Sequence, residues 1–366
     1  MLGQGELSPG GAASGGMRRG TGDAAAFITG LAGRELGIEE ARFLADARPC
    51  GIIIFSRNFE SDTQLRRLID AARSAVGGGE LLVLVDQEGG RVQRLRGAIW
   101  PDMPAAARFG ELHRCDPDGA RWAAKVTAQG LGQRLRTVGI NTNCAPCLDV
   151  PVEGADPVIG DRAYARETDV VADLGRAVAA GYLAAGVVPV IKHIPGHGRA
   201  AVDSHKSLPV VSASRADLGA RDFAPFRALK DMPAAMSAHV TFEAIDSGSP
   251  ASTSERVTQD IIRGEIGFDG LLMSDDISMG ALAGGIGARA GAVLAAGSDI
   301  ALHCNGVLAE MIEVAACVPR LAGASQARFE HCVGITEGPV EQVDDEVFRR
   351  ALDPVRGGGE EDARNV

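Results

Sequence analysis

Aromatic residues are scarce. Phe, Trp and Tyr make up 4% of the 366 residues, and Trp100 and Trp122 are the sole tryptophans. A long stacking platform for a polymer is therefore not expected. Basic charge is short as well: 37 Lys and Arg stand against 48 Asp and Glu, a formal net charge of −11. No run of Lys and Arg is long enough to make a nucleic-acid face, so nucleic acid is excluded as a partner. No window reaches the 18 or so uninterrupted apolar residues that crossing a membrane requires. Cysteine is present but does not form a framework: seven residues (Cys50, Cys115, Cys144, Cys147, Cys304, Cys317, Cys332) make an odd number scattered along the chain. That usage fits a reducing cytoplasm rather than a secreted, disulfide-built protein.

What remains is an ordinary globular composition, 45% hydrophobic and 23% charged, in a chain long enough for a sizeable core. Met1 to Gly22 is rich in Gly and Ser and lacks the apolar stretch of a signal peptide, so it reads as a flexible leader. The stretch 357–362 (GGGEED) reads as a disordered tail behind a terminal helix over 341–352. Residues 23–335 form the expected catalytic unit, and 336–366 the terminal helix and tail.

Within 23–335, short apolar runs alternate with longer stretches of helical spacing. The expected strands are 25–30 (AAFITG), 51–55 (GIIIF), 81–86 (LLVLVD), 140–146 (INTNCAP), 187–193 (VVPVIKH), 234–239 (AAMSAH), 270–275 (GLLMSD) and 299–304 (DIALHC). Continuous apolar strands, each followed by a helix, indicate a parallel sheet covered on both faces. Eight such units predict a single (β/α)8 TIM-like barrel, with an open doubly wound sheet as the alternative. Polar residues at the C-terminal ends of the strands favour the barrel, where those ends converge on one face. No GxGxxG turn follows a strand, as a dinucleotide-binding sheet would need.

Three polar clusters carry the chemistry. The first, 192–198 (KHIPGHG) followed by Asp203-Ser204-His205, gathers three of the chain's seven histidines just after a strand. Asp203 and His205 stand two positions apart, which lets the carboxylate fix one ring nitrogen and leaves the other free for proton transfer. His193 and His197 have a spacing seen among zinc ligands, but such pairs normally sit on a helix. Pro195, Gly196 and Gly198 argue against one, and no metal is expected. The second cluster is Ser274-Asp275-Asp276 at a strand end. Neighbouring strand residues point to opposite faces, so Asp275 is a candidate nucleophile while Asp276 suits a helix cap. The third, 86–94 (DQEGGRVQR), has the carboxylates, amides and guanidinium groups that grip vicinal hydroxyls of a sugar. The CxxC of Cys144 and Cys147 has no second pair and reads as buried free thiols.

Together these clusters resemble the single-domain bacterial β-N-acetylglucosaminidases of glycoside hydrolase family 3. The resemblance spans residues 25–305 and rests on GIIIFSRN (51–58), VDQEGGRVQR (85–94), APCLDV (145–150), IGDRAY (159–164), KHIPGHG (192–198), DSHKSLP (203–209), SAH (237–239) and SDDISM (274–279) in that order. It departs from the commonest pattern at Ile277, where leucine is usual, and at Cys147, where an aliphatic residue is usual. The resemblance implies a cofactor-free retaining double displacement: Asp275 as nucleophile, His205 as acid/base and Asp203 as its partner. It implies Asp86, Arg94, Arg162, Lys192 and His193 as sugar-binding residues. The implied substrate is a GlcNAc-containing muropeptide fragment of cell-wall recycling, GlcNAc–anhydroMurNAc. A histidine acid/base does not repel an anionic acceptor, so a phosphorylase using the same residues is the alternative. Three further readings stay open: a broader β-glucosidase, for which the chain lacks the usual second domain; a non-catalytic barrel that binds muropeptides; and a zinc hydrolase built on His193 and His197. No pattern in the sequence encodes an oligomeric state.

Overall fold

The structure is a computed structural model that describes residues 23–78, 80–97 and 100–356. The expected leader at 1–22 and tail at 357–366 lie outside the described residues.

Eight parallel strands close into a barrel: β1 Ala25–Gly30, β2 Pro49–Ile54, β3 Leu82–Val85, β4 Thr142–Asn143, β5 Val188–Ile194, β6 Ala234–Ser237, β7 Leu271–Asp276 and β8 Ile300–His303. Each pairs with its neighbour in sequence, and β8 returns to β1. Right-handed crossovers through helices make this order accessible to an alternating strand–helix sequence. Both faces of the strands are buried, which is why they read as unbroken apolar runs. Ile28, Ile53, Leu82, Leu84, Val190, Met273 and Leu302 fill the interior. The alternating Phe27, Ile52, Ile54, Val83, Val85, Ile191 and Leu272 face the helices.

Strand β4 is shorter than the seven residues expected. Pro146 offers no N–H to a ladder, and asparagine side chains take over from the backbone. Asn141 Oδ1 accepts the Val83 amide at 2.7 Å, and Asn143 Oδ1 accepts the Gln87 amide at 3.0 Å.

Helix Gly323–Glu337 seals the N-terminal end of the barrel. Its Phe329, Cys332 and Val333 join the interior cluster, and Cys332 Sγ lies 3.5 Å from the Pro233 carbonyl. The last helix, Asp345–Leu352, begins four residues later than expected, because Asp344 caps it by accepting the Val347 amide. It docks through Phe348 against Gly130, where a Cβ would fall 2.2 Å from the Phe348 ring. With the bottom closed, the functional groups have one open end to face.

Candidate active site

That open end is the C-terminal mouth of the strands. It holds a cavity of about 480 Å³ lined by all eight residues singled out from the sequence: Asp86, Arg94, Arg162, Lys192, His193, Asp203, His205 and Asp275.

The floor is ionic. Strand β3 delivers Asp86, and a hairpin pairing Gln87–Gly89 with Val92–Gln93 follows at once. Gly89 and Gly90 have φ of 107° and 55°, and a Cβ on Gly89 would meet the Pro104 carbonyl at 2.3 Å, so the turn demands glycine. Gln87 is turned inward rather than toward a ligand. Its Oε1 accepts the amides of Arg94 and Leu95 at 2.9 and 3.0 Å, locking the hairpin. Arg91 is likewise structural, bound to Asp161 and to the carbonyls of Pro157 and Val158. The third cluster therefore divides: Asp86, Glu88 and Arg94 meet the cavity's ionic floor, Gln87 locks the hairpin away from it, and Arg91 lines the cavity while tying the loops together.

Lys192, on β5, is 2% exposed and lies 2.9 Å from Asp86 Oδ1 and 2.6 Å from Glu88 Oε1. Arg94 reaches Asp86 Oδ2 at 3.1 Å, and Arg162 holds Glu88 through two bonds of 2.9 and 2.8 Å. Burial alone would push both carboxyls up. Arg162 and Lys192 more than offset it at Glu88, bringing that group down to about 2. Lys192 and Arg94 hold Asp86 well below the usual carboxylate range. Burial would likewise lower the Lys192 ammonium, but the two carboxylates raise it above its ordinary value. The floor is thus fixed as two anions and three cations, a rigid array of hydrogen-bond donors and acceptors.

A second buried network lies under His193. Asp149 Oδ2 is 2.6 Å from His193 Nδ1, and Asp149 Oδ1 accepts the His193 and His197 amides at 3.3 and 2.6 Å. Burial would raise Asp149, but His193 and His197 more than offset this and leave it well below the usual range. Glu88 and Asp149 stood inside the sequence clusters or at strand ends without an assigned part, and His197 was weighed only as a zinc ligand. Their signal was position; what they bind was not legible.

Asp275 lies at the end of β7, half-buried, its Oδ1 accepting the Asp276 amide at 2.8 Å. Burial would raise its carboxyl, yet His193, His239, that amide and Lys192 lower it. It faces the cavity as a carboxylate. Asp276 does not cap the following helix as expected, since Gly285 stands at the N-cap of Ile286–Ala295; it closes a turn instead, Oδ1 accepting the amides of Ser278 and Cys304 at 3.0 and 3.1 Å. His239 supports this turn from below, with Nε2 3.0 Å from the Asp276 carbonyl and Nδ1 2.7 Å from Ser252 Oγ. Asp203 and His205 enter on the loop after β5. Asp203 Oδ1 accepts from His205 Nδ1 at 2.8 Å and from the His205 amide at 3.0 Å. Partial burial would raise Asp203, but these bonds lower it. His205 Nε2 has no partner among the described residues, and its side chain is 65% exposed.

Among the described residues, Cys147, Asp149 and His193 bring metal-ligand atoms within 4.8 Å of one another. The 2.6 Å between Asp149 and His193 is a hydrogen-bond distance. It is shorter than the roughly 3.3 Å spanned by two ligands each about 2.0–2.1 Å from a tetrahedral zinc, so the group does not fit zinc as it stands. His197 is not part of that group, and its Nε2 lies 3.1 Å from Ser204 Oγ. Cys144 belongs to the barrel interior and Cys147 to a separate buried cluster with Ile159 and Ala163, both as free thiols. No helix among the described residues is long and apolar enough to cross a membrane.

The chain is 41% identical over 282 residues to a β-hexosaminidase from Bordetella avium, covering 75% of this chain and 79% of the relative. NagZ from Neisseria gonorrhoeae, solved with N-trifluoroacetyl-D-glucosamine, superposes with a TM-score of 0.79 at 32% identity over 91% of this chain and 97% of that one. The same relative solved with a zinc ion gives 0.79 at 31% identity over the same shares. Residues 31–333 match the model of the glycosyl hydrolase family 3 N-terminal domain, and the chain belongs to that family.

Proposed function

We propose that this chain is a retaining exo-β-N-acetylglucosaminidase that releases non-reducing-end GlcNAc from cell-wall muropeptide fragments such as GlcNAc–anhydroMurNAc. One observation carries the reading: an ionised carboxylate, Asp275, shares a single-ended cavity with an Asp203–His205 pair and a charged, hydrogen-bonding floor. The β-hexosaminidase relatives and the glucosamine derivative bound by the Neisseria protein support the sugar assignment.

The floor would hold the sugar hydroxyls through Asp86, Arg94, Arg162, Lys192 and His193. Asp275 attacks the anomeric carbon from one face, forming a glycosyl ester as the aglycone oxygen leaves. His205, protonated and held by Asp203, gives that oxygen its proton from Nε2. In the second half-reaction His205 takes a proton from water, which attacks the anomeric carbon and frees Asp275. Because the acid is an imidazole, the familiar 5–5.5 Å separation between two carboxyls of a retaining enzyme does not apply. No step calls for a metal, and activity should survive exhaustive chelation.

Product analysis with p-nitrophenyl β-GlcNAc near pH 7, with and without about 10 mM phosphate, tests this reading. Release of β-GlcNAc as the first anomer in both conditions is the expected result. GlcNAc-1-phosphate would instead make the protein a phosphorylase, and α-GlcNAc as first product would overturn retention. No product from GlcNAc substrates would move the assignment to a glucosidase or a binding protein.

A further inference from the structure

His197 has no part in the steps above, yet it is built in with care. The turn Pro195-Gly196-His197-Gly198 forces its ring inward. Gly196 has φ of 139°, and a Cβ on Gly198 would lie 2.1 Å from the Val150 carbonyl. The imidazole is 3% exposed, and burial pulls its pKa down to about 4, so it is neutral at working pH. Among the described residues, its Nδ1 has no hydrogen-bond partner. A buried ring nitrogen left unsatisfied is uncommon and calls for a reason. Among the described residues, the ring's side-chain hydrogen bond joins Nε2 to Ser204 Oγ, 3.1 Å away.

Ser204 is the residue between Asp203 and His205. From 201 to 208 it is the only fully buried position, at 2% exposed, in a stretch otherwise exposed or half-buried. The loop that carries the acid/base pair is therefore fastened at its middle by one side chain. A backbone bond from the Gly280 amide to the His205 carbonyl, 3.3 Å, supports it from the side of β7. The other end of the latch is equally fixed, because Asp149 holds the His197 amide and the His193 ring together.

We infer that the His197–Ser204 hydrogen bond is a latch that sets the position of the acid/base loop relative to the sugar floor, making His197 a positioning residue for His205. Its kinetic consequence rests on the reading of His205 as acid/base; its structural consequence does not. A misplaced acid slows the departure of poor leaving groups far more than that of nitrophenolate, which needs no proton. General acid catalysis contributes about 10²- to 10⁴-fold, so partial misplacement should cost a detectable share of that.

Ser204→Ala and His197→Leu remove the latch, while His197→Gln keeps a polar group near the Nε2 position. For Ser204→Ala, kcat/KM should fall at least ~10-fold on an alkyl β-GlcNAc and less than ~3-fold on p-nitrophenyl β-GlcNAc. Inhibition by free GlcNAc should stay within about twofold, and His197→Gln should recover much of the alkyl-glycoside rate lost in His197→Leu. Amide hydrogen exchange in peptides spanning 199–207 should quicken in Ser204→Ala with the barrel strands unchanged. Equal losses on both substrates, or unchanged exchange in that segment, would overturn the latch. His205→Ala, measured alongside, separates the two ideas: if it lacks leaving-group dependence, the acid role fails, and the exchange result alone decides the latch.

Discussion

Asp149 Oδ2 and His193 Nδ1 lie 2.6 Å apart, with Asp149 wholly shielded from solvent. The carboxylate fixes one nitrogen of the ring, so the imidazole presents the other to the cavity in one orientation. Asp149 also accepts two backbone amides. Asp149→Asn should therefore weaken sugar binding, raising KM and the GlcNAc inhibition constant about 10-fold. Asp149→Ala should in addition cost about 1–3 kcal/mol of stability through the orphaned donors. Steady-state kinetics and urea unfolding check the two effects, and wild-type binding in both variants would remove the orienting role.

Asp275 accepts its neighbour's amide and forms no ion pair among the described residues. Its replacement by alanine should abolish turnover, by roughly 10³-fold or more, with the fold intact. Circular dichroism and thermal unfolding should match wild type within a few degrees. Residual activity near wild type would show that another residue attacks the sugar.

Lys192 neutralises two buried carboxylates at once. Lys192→Met leaves Asp86 with Arg94 and Glu88 with Arg162, but strips the shared cation from between them. Breaking a buried ion pair costs about 3–5 kcal/mol, so a marked drop in melting temperature is expected together with lost activity. If melting is unchanged, the floor is more hydrated than its burial implies.

Stability should fall with acid in two stages. His197 has its pKa lowered by burial from 6.5 to about 4, so below pH 6.5 the unfolded chain binds a proton that the folded one refuses. That contribution, on the order of 3 kcal/mol, is complete above pH 6.5 and is lost as pH falls through about 4. The buried, lowered His239 acts in the same sense. Glu88, at 4.5 unfolded and about 2 folded, adds stability present above pH 4.5 and lost toward pH 2. Urea unfolding at pH 7.5, 6 and 5 should show declining stability, with a shallower slope in His197→Gln. A flat profile would contradict the burial of these histidines.

The barrel was legible because each of its strands is buried on both faces, and the resulting apolar runs name themselves. Strand β4 was the exception: Asn141 and Asn143 do backbone duty there, and only the three-dimensional pairing reveals it. The site was legible as a set of positions at strand ends, and all eight candidate residues line one cavity. Its internal wiring was not. In the run from Asp86 to Arg94, alternation cannot tell Gln87, which locks the hairpin, from Glu88, which holds Arg162 and Lys192.

What the sequence determined by itself is the period of the strands, the turns that need glycine, and the order of polar groups after each strand. These depend on local sterics and on burial of apolar surface, which act over a few residues. Only tertiary structure decided which charges meet. Lys192 and Glu88 are 104 positions apart, and Asp149 and His193 are 44 apart. Such pairs form because barrel closure brings strand ends together, and their partners are set by the side chain's reach across the mouth rather than by any spacing along the chain.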